Sequence, residues 1–167
     1  MPEASDEIRT QRLLLRRATM DDVDAMHAIM SNPRAMRYWS TPPHAELAES
    51  ERWMASMVDA DPVVSDDFIV TVDGQLIGKL GAWKLPEVGF LLDPDHWGRG
   101  YALEALNAFV ERRRARGSSH LTADVDPRNA ASIRLLEQSG FIETGRAQGT
   151  WQVGSELCDS IYFRLDL

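Results

Sequence analysis

Apolar residues recur along this chain in two periods. Val23, Met26, Ile29 and Met30 are spaced as one face of a helix, which the pattern ends at Asn32-Pro33. Thr19 and Asp22 precede it at N-cap and N3 spacing, a capping box with Asp in the usual Glu or Gln place. A second helix is expected from near Pro43, with Leu47, Met54, Met57 and Val58 on one face. Residues 8–17 read as one strand. Residues 68–72 and 76–83 are β-rich runs on either side of Asp73-Gly74, a pair that predicts a tight hairpin. A third run, 88–92, follows Pro86. Leu103, Leu106, Phe109 and Val110 then predict a helix whose end, 111–116, faces solvent before Gly117 stops it. Residues 121–125 read as a strand, and Asp126-Pro127 opens a helix closed by Ser139-Gly140. The last two strands are expected near 141–153 and 157–165.

The resulting order is β-α-α-β-β-β-α-β-α-β-β. It predicts an α/β (α+β) fold: a mixed, mostly antiparallel twisted sheet of about six to seven strands with helices on both faces. The unit from 88 to 125 should be a right-handed parallel crossover. No linker or repeat interrupts the pattern, so residues 1–167 are expected to form a single domain.

Charge narrows the partners. The formal net charge is −8, which disfavours nucleic acid, because that binding is driven by neutralising phosphates. An acidic body attracts cations such as a protonated amine, although solubility alone accounts for many acidic surfaces. No apolar run approaches the roughly 20 residues of a membrane span, and the acidic, polar start at Met1 to Asp6 does not resemble a signal peptide. The single cysteine, Cys158, excludes an internal disulfide and fits a reducing cytoplasm. His27, His44, His96 and His120 show no metal-ligand spacing, so no metal is expected.

The segment 87–104 carries candidate chemistry. Gly98 and Gly100 alternate just before a predicted helix. A helix N-terminus offers unpaired N–H groups and a positive dipole end, and glycine lets the backbone close on a ligand. Together these features suit a pyrophosphate. A dinucleotide site is a rival reading, with Asp124 at about the distance of a ribose-binding carboxylate. Against it, Leu103 stands where the third glycine belongs, the link from strand to Gly98 is long, and only one parallel crossover is present.

Residues 88–105, with Trp97-Gly98-Arg99-Gly100-Tyr101-Ala102 at their centre, resemble the acetyl-CoA pyrophosphate loop of the GNAT superfamily of N-acetyltransferases. A second signature, Asn129-Ala130-Ala131-Ser132 followed by 136–141, is similar to the family's helix beside the pantetheine arm. Arg12 to Arg16 and Asp159-x-x-Tyr162 also fit, so the resemblance spans nearly the whole chain. The likeness is greatest to the branch of ribosomal-protein N-terminal (alanine/serine) acetyltransferases.

This resemblance implies an enzyme, an acetyl-CoA-dependent N-acyltransferase. It would move the acetyl group to a primary amine by direct transfer in a ternary complex. The acceptor it implies is a protein or peptide N-terminus or a small amine; the alternative is a non-catalytic CoA-binding module of the same fold. A homodimer goes with the family. Backbone groups of Phe90, Leu91 and Leu92, on a strand splayed from its neighbour, would hold the pantetheine and polarise the thioester. Trp97, Gly98, Arg99, Gly100, Tyr101 and Ala102 correspond to the pyrophosphate loop. Asn129 would hydrogen-bond the pantetheine, cap the helix, or both. The family's tyrosine acid is replaced by Leu136, leaving Ser132 as the candidate proton donor or as a small residue packed against the cofactor. Glu87 would be the base, directly or through water, or a solvated strand-start residue. Tyr38 and Trp39 fall where the family binds its acceptor. Trp83, Trp151 and Tyr162 read as core or sheet-face aromatics.

Overall fold

The computed structural model describes residues 6–167; Met1–Ser5, most of the acidic start, lie outside the described residues. Among the described residues, eight strands form one sheet in the order β1-β2-β3-β4-β5-β6-β8-β7. They are β1 Ile8–Arg9, β2 Leu14–Arg16, β3 Asp66–Val72, β4 Gln75–Lys84, β5 Glu87–Leu92, β6 His120–Val125, β7 Ile142–Val153 and β8 Glu156–Asp166. Every neighbouring pair is antiparallel except β5 and β6. Four α-helices, α1 Val23–Met30, α2 Leu47–Val58, α3 Tyr101–Ala115 and α4 Ala130–Gln138, cover both faces.

The two faces hold separate apolar clusters, sorted by strand alternation. On β3, Phe68 and Val70 join the cluster under α3 and α4, while Ile69 joins the one under α1 and α2. On β5, Val88 and Leu92 point to the first cluster and Leu91 to the second. The α1–α2 cluster is rich in methionine: Met26, Met30, Met36, Met54 and Met57 are all buried. Ser50 is also buried there, held between His27 Nδ1 (2.7 Å) and His44 Nδ1 (2.8 Å).

Several local expectations change. The strand expected over 8–17 is two short strands, because the Thr10 N–H donates to the Leu13 carbonyl at 3.0 Å and folds the segment into a hairpin. This raises the strand count to eight. Helix α2 begins at Leu47 rather than near Pro43: the His44 N–H donates to the Met30 carbonyl, which holds the proline segment against the end of α1. Glu46 then takes the N-cap position, its N–H bonded to Glu49 Oε2. The inward face of α2 is Ser50, Met54 and Met57; Leu47 and Val58 are exposed. The expected capping bond before α1 is present, with Thr19 N–H donating to Asp22 Oδ2 at 2.9 Å. The Asp73-Gly74 hairpin is also present, with φ of 49° and 78° at the two residues. Trp83, Trp151 and Tyr162 are exposed on sheet faces, not in the core. No described helix is long and apolar enough to cross a membrane.

Candidate active site

The parallel strands β5 and β6 share only one bridge pair, Glu87 with Thr122. Beyond it the strands part, and a cavity of about 670 Å³ opens between residues 88–92 and 123–126. Its other walls are the first turns of α3 and α4 and the connection between α1 and α2. Such a volume is typical of a small-molecule or cofactor site.

The glycine loop forms one end. Gly100 is the N-cap of α3, at φ 78°, and Gly98 is at φ 73°, both in the left-handed region where glycine is unstrained. No earlier turn of α3 accepts the N–H groups of Tyr101, Ala102 and Leu103, and all three residues line the cavity. Trp97 anchors the start of the loop by donating from Nε1 to the Leu92 carbonyl at 3.0 Å. Leu91 and Leu92 are buried and Phe90 half-buried, and all three reach the cavity.

The loop is clamped from outside by the β1–β2 turn. Glu104 accepts from Thr10 Oγ1 at 2.6 Å, Arg12 N–H at 2.8 Å and Arg12 Nε at 2.7 Å. Arg12 Nη1 donates to the Arg99 carbonyl at 2.8 Å, and its guanidinium lies 4.5 Å from the Tyr101 ring centroid. None of this was visible in the sequence, because Arg12 and Glu104 are far apart along the chain. Replacing Glu104 with alanine should cost about 1–3 kcal/mol by removing charge-assisted bonds. Chemical denaturation tests this, and an unchanged midpoint would contradict the clamp.

Asn129 caps α4, its Oδ1 accepting the Ser132 N–H at 3.2 Å, and its Nδ2 makes no bond to a described residue. Asn129 and Ser132 both line the cavity. Leu136 is fully buried in the main core. Tyr38 and Trp39 line the far end, where the Arg37 and Arg128 guanidinium groups lie 5.0 and 5.6 Å from the Tyr38 ring centroid. Arg128 is itself bonded to Asp126 and Glu156, and its hydrogen bonds to Asp126 hold that carboxyl below its usual range.

Two expected residues, Arg99 and Glu87, do not contribute to the lining. Glu87 is exposed as a residue, yet surrounding protein desolvates its carboxyl and raises its pKa, with the charge of Asp124 adding to the rise. Asp124 does line the cavity, and its Oδ2 accepts from Trp151 Nε1 at 3.0 Å. On β6, Leu121, Ala123 and Val125 are buried, so Thr122 and Asp124 face the opposite side. That alternation is a signal for a site carboxylate, though it does not identify the partner on β7. Among the described residues, no group of three or more His, Cys, Asp or Glu could hold a metal ion.

Comparison with known proteins agrees with this geometry. Residues 12–142 match the family described as the acetyltransferase (GNAT) domain. The chain is 30% identical over 170 residues to the uncharacterized N-acetyltransferase YoaA of Bacillus subtilis, covering 93% of this chain and 94% of the relative. It is 28% identical over 141 residues to an L-methionine sulfoximine/L-methionine sulfone acetyltransferase of Pseudomonas paraeruginosa, covering 77% and 78%. In fold it is similar to the Salmonella typhimurium acetyltransferase that modifies the N-terminal serine of ribosomal protein L7/L12. That match has a TM-score of 0.86 at 16% identity, over 96% of this chain and 99% of the other. A glycine-lined helix N-terminus beside a parted parallel strand pair, within a sequence that matches over most of its length, places this chain in the GNAT acetyltransferase family.

Proposed function

We propose that this acetyltransferase moves the acetyl group of acetyl-CoA directly to a primary amine while both substrates are bound. The observation that carries this reading is the continuity of one cavity. It runs from the N–H groups at the start of α3, past the unpaired edge of β5, to the aromatic wall at Tyr38 and Trp39. The first region suits a pyrophosphate and the second an extended amide chain. The third leaves room for an acceptor.

Gly98, Gly100, Tyr101 and Ala102 would hold the pyrophosphate through backbone N–H groups, with Trp97 and the Arg12 clamp fixing the loop; Arg99 would add charge from its flank. Backbone groups of Phe90, Leu91 and Leu92 would bind the pantetheine and polarise the thioester carbonyl. Asn129 would donate from Nδ2, since its Oδ1 is spent on the helix cap. Ser132, in the first turn of α4, would protonate the leaving CoA thiolate and take back the proton that the nitrogen loses as the tetrahedral intermediate collapses. Glu87, with its raised pKa, would take the ammonium proton through water. Alignment and deprotonation suffice for an activated thioester, so no covalent enzyme intermediate is needed.

One observation favours a non-catalytic CoA-binding module: the position of the family's tyrosine acid is a fully buried leucine, Leu136. Thermal unfolding with acetyl-CoA, against NAD and ATP controls, tests the cofactor. At a hundredfold excess over the dissociation constant the stabilisation should be about 2.7 kcal/mol. A shift with acetyl-CoA alone, followed by free-thiol release on adding amines, supports the enzyme. A shift without turnover on any amine supports the module, and no shift refutes both. The relatives' acceptors, an amino-acid derivative and a ribosomal-protein N-terminus, define where screening starts.

A further inference from the structure

The charges at the acceptor end are arranged asymmetrically. On the sheet side, Asp124 lines the cavity with one carboxylate oxygen held by Trp151, and no described cation pairs with it. Glu87 lies diagonally from it, since Glu87 pairs with Thr122 and Asp124 is two residues further on the same face. Glu87 also has no cationic partner among the described residues, and its raised pKa reflects in part the charge of Asp124. Asp126, by contrast, is neutralised by Arg128.

On the opposite wall, Arg37 lies over the Tyr38 ring with no described carboxylate in ion-pair distance. Arg128, also over that ring, is occupied by Asp126 and Glu156. Arg34, the other unpaired arginine of this wall, lies over Trp97 and so belongs to the pyrophosphate end. Among the described residues, the acceptor end therefore presents the Asp124 carboxylate without a cationic partner on the sheet, with Glu87 beside it but outside the lining, and the Arg37 guanidinium without a carboxylate partner on the α1–α2 connection, next to an aromatic ring.

Resting on the reading of the cavity as an acetyl-transfer site, we infer that Asp124 receives the acceptor's ammonium and Arg37 its anionic group, so that the acceptor is a zwitterion of the α-amino-acid class. A half-buried carboxylate with no cationic partner among the described residues selects a cation. A planar guanidinium matches a carboxylate in bidentate fashion. A polyamine would satisfy Asp124 but bring a second cation toward Arg37, where like charges repel. Trp151 acts as a positioning residue, fixing the Asp124 rotamer from β7.

The test uses the full chain at saturating acetyl-CoA, with thiol release measured for the twenty L-α-amino acids and L-methionine sulfone. Their methyl esters, spermidine and a serine-initiated peptide amide complete the panel. The expected result is turnover of at least one free amino acid with kcat/KM tenfold or more above its ester and above spermidine. Arg37→Met should bring the acid-to-ester ratio toward one, acting through KM. Asp124→Asn should lower kcat/KM for acid and ester alike by tenfold or more. In both variants the acetyl-CoA-induced shift in melting temperature should persist, which separates acceptor recognition from misfolding. Equal or better use of esters, spermidine or the peptide amide would overturn the inference and leave the enzyme reading standing. So would an Asp124→Asn variant with unchanged kinetics, or acetyl-CoA binding with no amino acid turned over. Absence of any acetyl-CoA shift in the unaltered chain would take down both readings.

Discussion

Gly78→Ala is expected to remove a large share of the protein's stability. Gly78 sits in the middle of β4 at φ 154°, and a Cβ there would fall 2.0 Å from the Leu91 carbonyl oxygen and 2.9 Å from the Leu92 Cα. Both are backbone atoms of the neighbouring strand, so no side-chain rotation relieves the clash. Overpacking of a core commonly costs about 1–3 kcal/mol, and a strained backbone region adds about 1–3 kcal/mol. Here the two act together on a sheet interior, so a loss of about 4 kcal/mol or more is expected, against a typical total of about 5–15 kcal/mol. The folded molecules would have β5 displaced, and Leu91 and Leu92 line the cavity, so the acetyl-CoA shift should be lost as well. Gly74→Ala is the control. That glycine is also at positive φ, 78°, but a Cβ there meets nothing within 4 Å. Its expected cost is about 1–2 kcal/mol, from backbone strain alone. Circular dichroism and urea unfolding of the two variants check the contrast; similar midpoints would show that β4 and β5 can separate without cost.

Asp66→Ala should also be strongly damaging, at about 3–5 kcal/mol. Asp66 is only 2% exposed and opens β3. It accepts from Arg112 Nε at 3.0 Å, Arg113 Nη1 at 2.8 Å and Arg17 Nη2 at 2.9 Å. Arg112 and Arg17 also lie over the Phe68 ring, 4.9 and 4.3 Å from its centroid. One carboxylate thus joins the chain after β2, the start of β3 and the last turns of α3. Removing it leaves three guanidinium groups crowded together, two of them largely buried, with their shared counter-ion gone.

The same cluster sets an acid limit. Burial pushes the Asp66 carboxyl up, but the hydrogen bonds from Arg112 and Arg113, and then Arg17, outweigh it and hold the carboxyl below its usual range. A depressed carboxyl contributes stability that is fully present above its unfolded value, roughly pH 3.9. That contribution is lost as pH falls from there through the folded value. The unaltered chain should therefore lose stability steeply below about pH 4, and Asp66→Asn should flatten that slope while lowering stability at neutral pH. Urea midpoints across pH 3–7 measure this, and parallel curves for the two proteins would rule out Asp66 as the acid-sensitive group.

These two sites show where sequence patterns stop being informative. A run such as Glu111 to Arg116 after an apolar helix reads as a solvated end, because helical period marks only the apolar face. Arginines in a last turn also complement the helix dipole without any partner. Only the arrival of β3 beside α3 supplies Asp66 and turns Arg112 and Arg113 inward. Likewise Lys79 and Asp67, on adjacent strands, bury their charges together, each 4% exposed by side chain, at positions where alternation alone predicts apolar residues.

What the sequence determined by itself was local. The period of Val23, Met26, Ile29 and Met30 sets α1, and the Asp73-Gly74 pair sets the β3–β4 turn because both positions need positive φ. Gly98 and Gly100 ahead of an apolar-periodic helix, and Asn129 three residues before Ser132, define loop and cap, since each interaction spans a few residues. Those same residues carry the resemblance to the family, so the glycine-loop end of the cavity was legible as local structure. The contacts that fix the rest were not: Arg12 to Glu104 at the loop, and Asp124 to Trp151 and Tyr38 to Arg128 at the other end, join residues 27 to more than 90 apart. A carboxylate or guanidinium carries no mark in the sequence of whether it will be paired, buried or left facing a cavity. That depends on which strand lies beside which, and in this protein the single bridge between β5 and β6 decides it by parting the sheet where the cavity forms.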